Sequence, residues 1–155
     1  MLLVLAAQLF LLHNTSQGES KKTDTHKEKT TLFDKSRVTQ KSFPLSKIKK
    51  DAVLILTIYF PEGYHLIKDA GSSYSLTMKE QVLINGSIVS DETSIGIPTL
   101  PDNNSTLVLN LNYYYCTKKG VCHVQLSRWS IPVELRQDGS GKISITEIPD
   151  QAEKK

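Results

Sequence analysis

Three observations predict an all-β fold, an antiparallel β-sandwich of about eight short strands. From Val38 onward apolar residues recur at every second position, the period of a half-buried strand. Turn residues such as Pro61-Glu62-Gly63 and Asp138-Gly139-Ser140-Gly141 break these runs at intervals of about 8–15 residues. No stretch sustains a helical period, so nothing argues for a helical layer.

Size and charge narrow the function classes. The 155 residues fit one domain with tails, expected at 37–149. A formal charge of +3 is too mild to suggest nucleic acid. The lysines gather toward the ends as solvated tails, and Arg37, Arg128 and Arg136 are the only arginines. Two cysteines do not make a disulfide-dense scaffold, so the core must carry most of the stability.

The apolar segment at 1–17 begins with a run to Leu12 that is too short for a membrane span, which needs about 20 apolar residues. It reads either as the apolar part of a secretory signal or as the remnant of a missing upstream domain. Asn-x-Ser/Thr acceptor patterns stand at Asn14, Asn85, Asn103 and Asn104, and matter only for a secreted chain. Residues 18–36, rich in Lys, Thr, Glu and Ser and containing His26, read as a flexible polar linker.

Within the domain, Asp51 to Phe60 places Ala52, Leu54, Leu56, Ile58 and Phe60 on one face. Its other face carries Val53 and Ile55, which predicts a central strand covered on both sides. Ser72 to Met78 sets Tyr74, Leu76 and Met78 together. Val82 to Val89 contains Asn85-Gly86, which would suit a two-residue hairpin turn or a glycine bulge; the strand with a bulge is expected. Thr93 to Ile97 is short and stops at Pro98, and Pro101-Asp102-Asn103-Asn104 is a loop.

Leu107 to Cys116 alternates with Leu107, Leu109, Leu111, Tyr113 and Tyr115 on one face. Cys122 to Leu135 returns, with Trp129, Ile131, Val133 and Leu135 in phase. Val124 and Leu126 hold the opposite phase, so a bulge or bend is expected near Ser127-Arg128. Lys142 to Ile148 closes the domain with Ile143 and Ile145 inside, before a polar tail at 150–155.

Chemistry, if any, belongs to Cys116 and Cys122, which flank Thr-Lys-Lys-Gly-Val. At the ends of neighbouring strands their Cα atoms can reach the roughly 4.4–6.8 Å of a disulfide. So short a loop would stabilise by only about 2 kcal/mol. Lys118, Lys119 and His123 nearby would favour a thiolate, and Tyr114 and Tyr115 could shield it, which makes the pair a candidate redox site. The plainer reading is a hairpin staple, and it leads, because this spacing is not itself a redox signature. Cys116, Cys122 and His123 offer three zinc ligands at most, with His65 distant, so no metal or other cofactor is expected.

Cys116-Thr117-Lys118-Lys119-Gly120-Val121-Cys122, followed by Ser130-Ile131-Pro132-Val133-Glu134-Leu135, resembles the amino-terminal periplasmic domain of the DsbD thiol–disulfide interchange family. That resemblance implies an immunoglobulin-like sandwich with a Cys-x5-Cys pair, a glycine at the position of Gly120, and electron transfer to protein partners. Over about Arg37 to Ile148 the chain also resembles the carboxy-terminal β-sandwich of the NHL repeat-containing protein 2 family. The marks are Phe60-Pro61-Glu62-Gly63, Gly71-Ser72-Ser73-Tyr74, Leu83-Ile84-Asn85-Gly86, Ile97-Pro98, and Tyr114-Tyr115-Cys116 with Cys122. This second resemblance implies a cytoplasmic, non-catalytic interaction module whose partner is a thioredoxin-like or NHL propeller domain. The alternatives are a thiol–disulfide relay through Cys116 and Cys122, and a secreted adhesion-type sandwich glycosylated at Asn85 and Asn103 or Asn104.

Overall fold

A computed structural model describes residues 38–150, all within the compact unit Phe33–Lys155. The readings on 1–17, on 18–36, on Asn14 and on the tail beyond 150 lie outside the described residues. Nine strands and no helix make up the described part. In chain order they are β1 (Val38–Ser42), β2 (Ser46–Ile58), β3 (Tyr64–Leu66), β4 (Ser73–Met78), β5 (Gln81–Ser87), β6 (Glu92–Gly96), β7 (Asn104–Thr117), β8 (Cys122–Leu135) and β9 (Ser140–Glu147). The all-β expectation holds. The expectation of short strands does not, since β2, β7 and β8 run 13, 14 and 14 residues.

Hydrogen bonds connect the strands in the order β5-β4-β7-β8-β2-β6, with β1 beside β8, β3 beside β7 and β9 beside β2. Three of these pairings are parallel, where an antiparallel arrangement was expected: β1 with β8, β2 with β8, and β2 with β9. The reason lies in β2. Its first residues, Ser46–Ile48, lie along the end of β8, and Val53–Ile58 lie between β6 and β9. The register breaks between Ile48 and Val53, where Asp51 takes a φ of 62°. β8 leads straight into β9, and both follow β2 in one direction, β8 along its first residues and β9 along its last. Gly139 permits this close passage: a Cβ there would lie 2.5 Å from the Ile48 carbonyl carbon.

The period-2 pattern sorts the side chains as expected. Ala52, Leu54, Leu56 and Ile58 of β2 are buried, as are Leu107, Leu109, Leu111, Tyr113 and Tyr115 of β7. With Ile131, Val133, Ile143 and Ile145 they form one core. Burying a Leu- or Ile-sized side chain stabilises by roughly 1.5–3 kcal/mol, so this core dominates the folding free energy. β2 is central, with β9 on one side and β6 on the other.

The Asn85-Gly86 pair lies inside β5, opposite Ser75 and Tyr74, as a strand and not a turn. The irregularity expected there falls instead across from Leu76 and Thr77. The β4–β5 turn is made by Lys79 and Glu80, with φ of 48° and 67°. Two successive left-handed residues are the geometry of a two-residue hairpin turn whose twist suits the flanking strands.

Candidate functional site

The β7–β8 hairpin carries the cysteines, and its turn explains their spacing. Thr117 N–H donates to the Val121 carbonyl at 2.8 Å, and Gly120 N–H to the Thr117 carbonyl at 2.9 Å. Lys118, Lys119 and Gly120 therefore form a three-residue loop, and Gly120 holds the left-handed position at φ 81°. Thr117 and Val121 make a hydrogen-bonded pair, so the next pair along is the closer, non-hydrogen-bonded kind. That pair is Cys116 opposite Cys122, disulfide-bonded with Cα atoms 4.0 Å apart. A Cys-x5-Cys spacing is what a three-residue turn requires if the first non-hydrogen-bonded pair is to be cross-linked.

The two sulfur-bearing residues differ in environment. Cys116 is 4% exposed, covered where β3 runs beside β7, with His65 as its β3 neighbour. Lys118 N–H donates to the Gly63 carbonyl at 2.8 Å and ties the turn to the start of β3. Cys122 is exposed, on a part of β8 that pairs with β7 alone among the described residues.

Register then divides the expected supporting residues between two faces. The pairing runs unbroken from Asn104 opposite Glu134 to Cys116 opposite Cys122. The bulge expected near Ser127-Arg128 is absent. Even-numbered residues of the hairpin share the disulfide's face, so Tyr114 lies on it together with Val124, which is 45% exposed. Tyr115 and His123 lie on the opposite face, stacked with ring centroids 5.3 Å apart. His123 thus follows Cys122 in sequence yet sits across the sheet from it. Lys118 and Lys119 are exposed on the turn, where solvent screens their charge. Beneath the hairpin tip Phe60, Tyr64, Tyr113 and Tyr115 pack at centroid distances of 5.9–6.3 Å. Such aromatic contacts each add about 0.5–1.5 kcal/mol beyond area burial.

The inward face of β8 explains why hydrophobicity alone misread its phase. Gln125 and Ser127 are buried, while Val124 and Leu126 face outward. Ser127 Oγ donates to Glu147 Oε1 at 2.6 Å, and Trp129 Nε1 to Oε2 at 2.6 Å. Tyr113 O–H donates to Oε1 at 3.3 Å, and Lys41 Nζ pairs with the same oxygen at 3.3 Å. Lys41 also stands 5.5 Å from the Trp129 ring centroid. Gln125 Nε2 donates to Asp150 at 2.9 Å, and Thr39 O–H donates to the same carboxylate. Glu147 is completely buried, and four donors surround it. Burial and the adjacent Glu147 push the Tyr113 phenol well above its ordinary range. Continuing the inward phase of Ile143 and Ile145 by two residues places Glu147 inside; that was the signal available in the sequence.

The acceptor asparagines Asn85, Asn103 and Asn104 are all exposed. Among the described residues, no group of three or more His, Cys, Asp or Glu side chains could hold a metal ion, and no helix is long and apolar enough to cross a membrane. No protein-family model and no curated protein matches this chain.

Proposed function

We propose that this all-β domain is a non-catalytic protein-interaction module, with the Cys116–Cys122 disulfide stapling its longest hairpin. The supporting observation is the fit between cysteine spacing and turn: a three-residue loop leaves Cys116 and Cys122 directly opposed. His123, which follows Cys122 in sequence, lies away from the disulfide's face, although His65 of β3 stands directly opposite Cys116. By its resemblance to the NHL repeat-containing protein 2 family, the module's partner is a thioredoxin-like or NHL propeller domain in the cytoplasm. A redox titration tests the staple. Its potential should fall below about −300 mV, out of reach of glutathione, and a value near −200 mV would overturn the reading.

A second reading, a thiol–disulfide relay, is favoured by the unequal exposure of the cysteines. A partner thiolate would attack the exposed Cys122 Sγ, the intramolecular bond would break, and Cys116 would leave as the thiolate. In the reverse direction the lone Cys122 thiolate of Cys116→Ser should attack the disulfide of an oxidised thioredoxin-like partner, breaking that bond and leaving a mixed disulfide on Cys122. The staple reading expects no capture. The secreted alternative has its own test: expression through a secretory pathway should produce an N-glycan mobility shift mapping to Asn85, Asn103 or Asn104.

A further inference from the structure

The disulfide belongs to a row of side chains that crosses three strands. His65 of β3 stands opposite Cys116 of β7, which in turn stands opposite Cys122 of β8. Ile67 N–H donates to the Tyr114 carbonyl at 2.9 Å, and Lys118 N–H to the Gly63 carbonyl at 2.8 Å. These bonds lie two residues to either side of His65 and Cys116, so that pair is itself of the hydrogen-bonded kind. Facing side chains across such strands have Cβ atoms about 4.5–5.5 Å apart. One step along, Leu66 and Tyr115 are paired and both buried in the core. His65 and Cys116 therefore point together to the other face, which is the disulfide's. His65 thus neighbours the covered sulfur, on the side away from the exposed Cys122.

We infer that His65, as the imidazolium, supplies the charge that stabilises Cys116 as the leaving thiolate when the disulfide is reduced. This deepens the relay reading and rests on its direction of attack. A thiolate donor attacks Cys122 Sγ and forms a new S–S bond there. The Cys116–Cys122 bond breaks, and its electron pair passes to Cys116 Sγ. A second thiol of the donor then releases Cys122 and leaves the donor as a disulfide. A positive neighbour lowers the pKa of the leaving thiol, and a thiol of lower pKa leaves faster. Among the described residues His65 and His123 are the only histidines, the side chains that ordinarily change charge between about pH 5 and 8. His123 stacks on Tyr115, on the opposite face. β3 pairs with β7 alone, and the charged groups around it are Lys118 and Lys119 on the turn and Glu62, Lys68 and Asp69 on its flanking segments. All five are exposed, and such lysines and carboxylates hold one charge across that range.

The rate of reduction of the full chain by dithiothreitol, divided by the thiolate concentration at each pH, tests it. That rate constant should rise about threefold as pH falls from about 8 to about 5, the order expected when a charge lowers the leaving thiol's pKa by about one unit. His65→Gln should flatten the rise, with the far-UV spectrum unchanged because His65 is exposed. His123→Gln should keep it. A flat profile in the unaltered chain would overturn the inference, as would a rise that survives His65→Gln. Loss of the rise in both variants would overturn it too, by assigning the effect to packing at the hairpin tip. Partner capture decides the relay separately: a rise without capture ends the relay and leaves the role of His65 standing.

Discussion

The β7–β8 and β4–β5 hairpins share a sheet and are built in opposite ways. β7 and β8 are central, fourteen residues each, closed by a disulfide and turned at a glycine. β4 and β5 are six and seven residues, carry no cross-link, and turn through two residues with side chains at positive φ. This domain concentrates its stability in one of the two. Strand length, buried aromatics and the Glu147 cluster all converge on β7–β8, while β5 is left as an open margin.

The largest expected effect comes from removing what holds the strong hairpin from within. Glu147→Ala strips Lys41, Tyr113, Ser127 and Trp129 of their shared acceptor. Urea unfolding should show a loss of about 3–5 kcal/mol, the usual result of breaking a buried charged pair. A loss under about 1 kcal/mol would mean that the donors are readily re-satisfied and the contrast with β4–β5 is overstated.

Cutting the covalent link should cost less. The double variant Cys116→Ala/Cys122→Ala opens a short loop, for which the chain-entropy account expects about 2 kcal/mol. The variant should still fold, with an unchanged far-UV spectrum, because the core does not depend on the bond.

The weak hairpin can be strengthened. Lys79→Asn with Glu80→Gly installs the turn sequence that tolerates two positive φ values, and should raise stability by about 1–2 kcal/mol. An unchanged denaturation midpoint would show that β4–β5 carries no strain at its turn.

The mildest test uses pH. Tyr113 is buried beside Glu147 and its phenol titrates above its unfolded value of 10.0. A group whose folded value is raised contributes fully below the unfolded value and loses that contribution as pH rises. Thermal midpoints should therefore fall as pH climbs past about 10, and Tyr113→Phe should flatten that part of the decline.

Much of the fold was legible in the residues. The alternation through Leu54 and Leu56, and through Leu107 to Tyr115, assigns strands and their buried faces correctly because apolar burial dominates there. It fails on β8, where Gln125 and Ser127 face inward. A buried polar residue is stable only when tertiary partners satisfy it, and those partners, Glu147 and Asp150, are 20 or more residues away in sequence. The β4–β5 turn was illegible for a related reason: the best turn dipeptide, Asn85-Gly86, lies within a strand held by β4, and tertiary pairing overrides its local preference.

Residue pattern alone was enough to assign an all-β domain, to pick out the buried faces of β2, β7 and β9, and to confine any thiol–disulfide chemistry to Cys116 and Cys122. Period and residue type are local properties, and burial follows them. Only the tertiary structure decided that β2 pairs in parallel with β8 and β9, that Cys116 is covered while Cys122 is open, and that His123 lies across the sheet from the disulfide. Those outcomes depend on register and on which strands become neighbours, which are set by contacts between residues far apart in the chain.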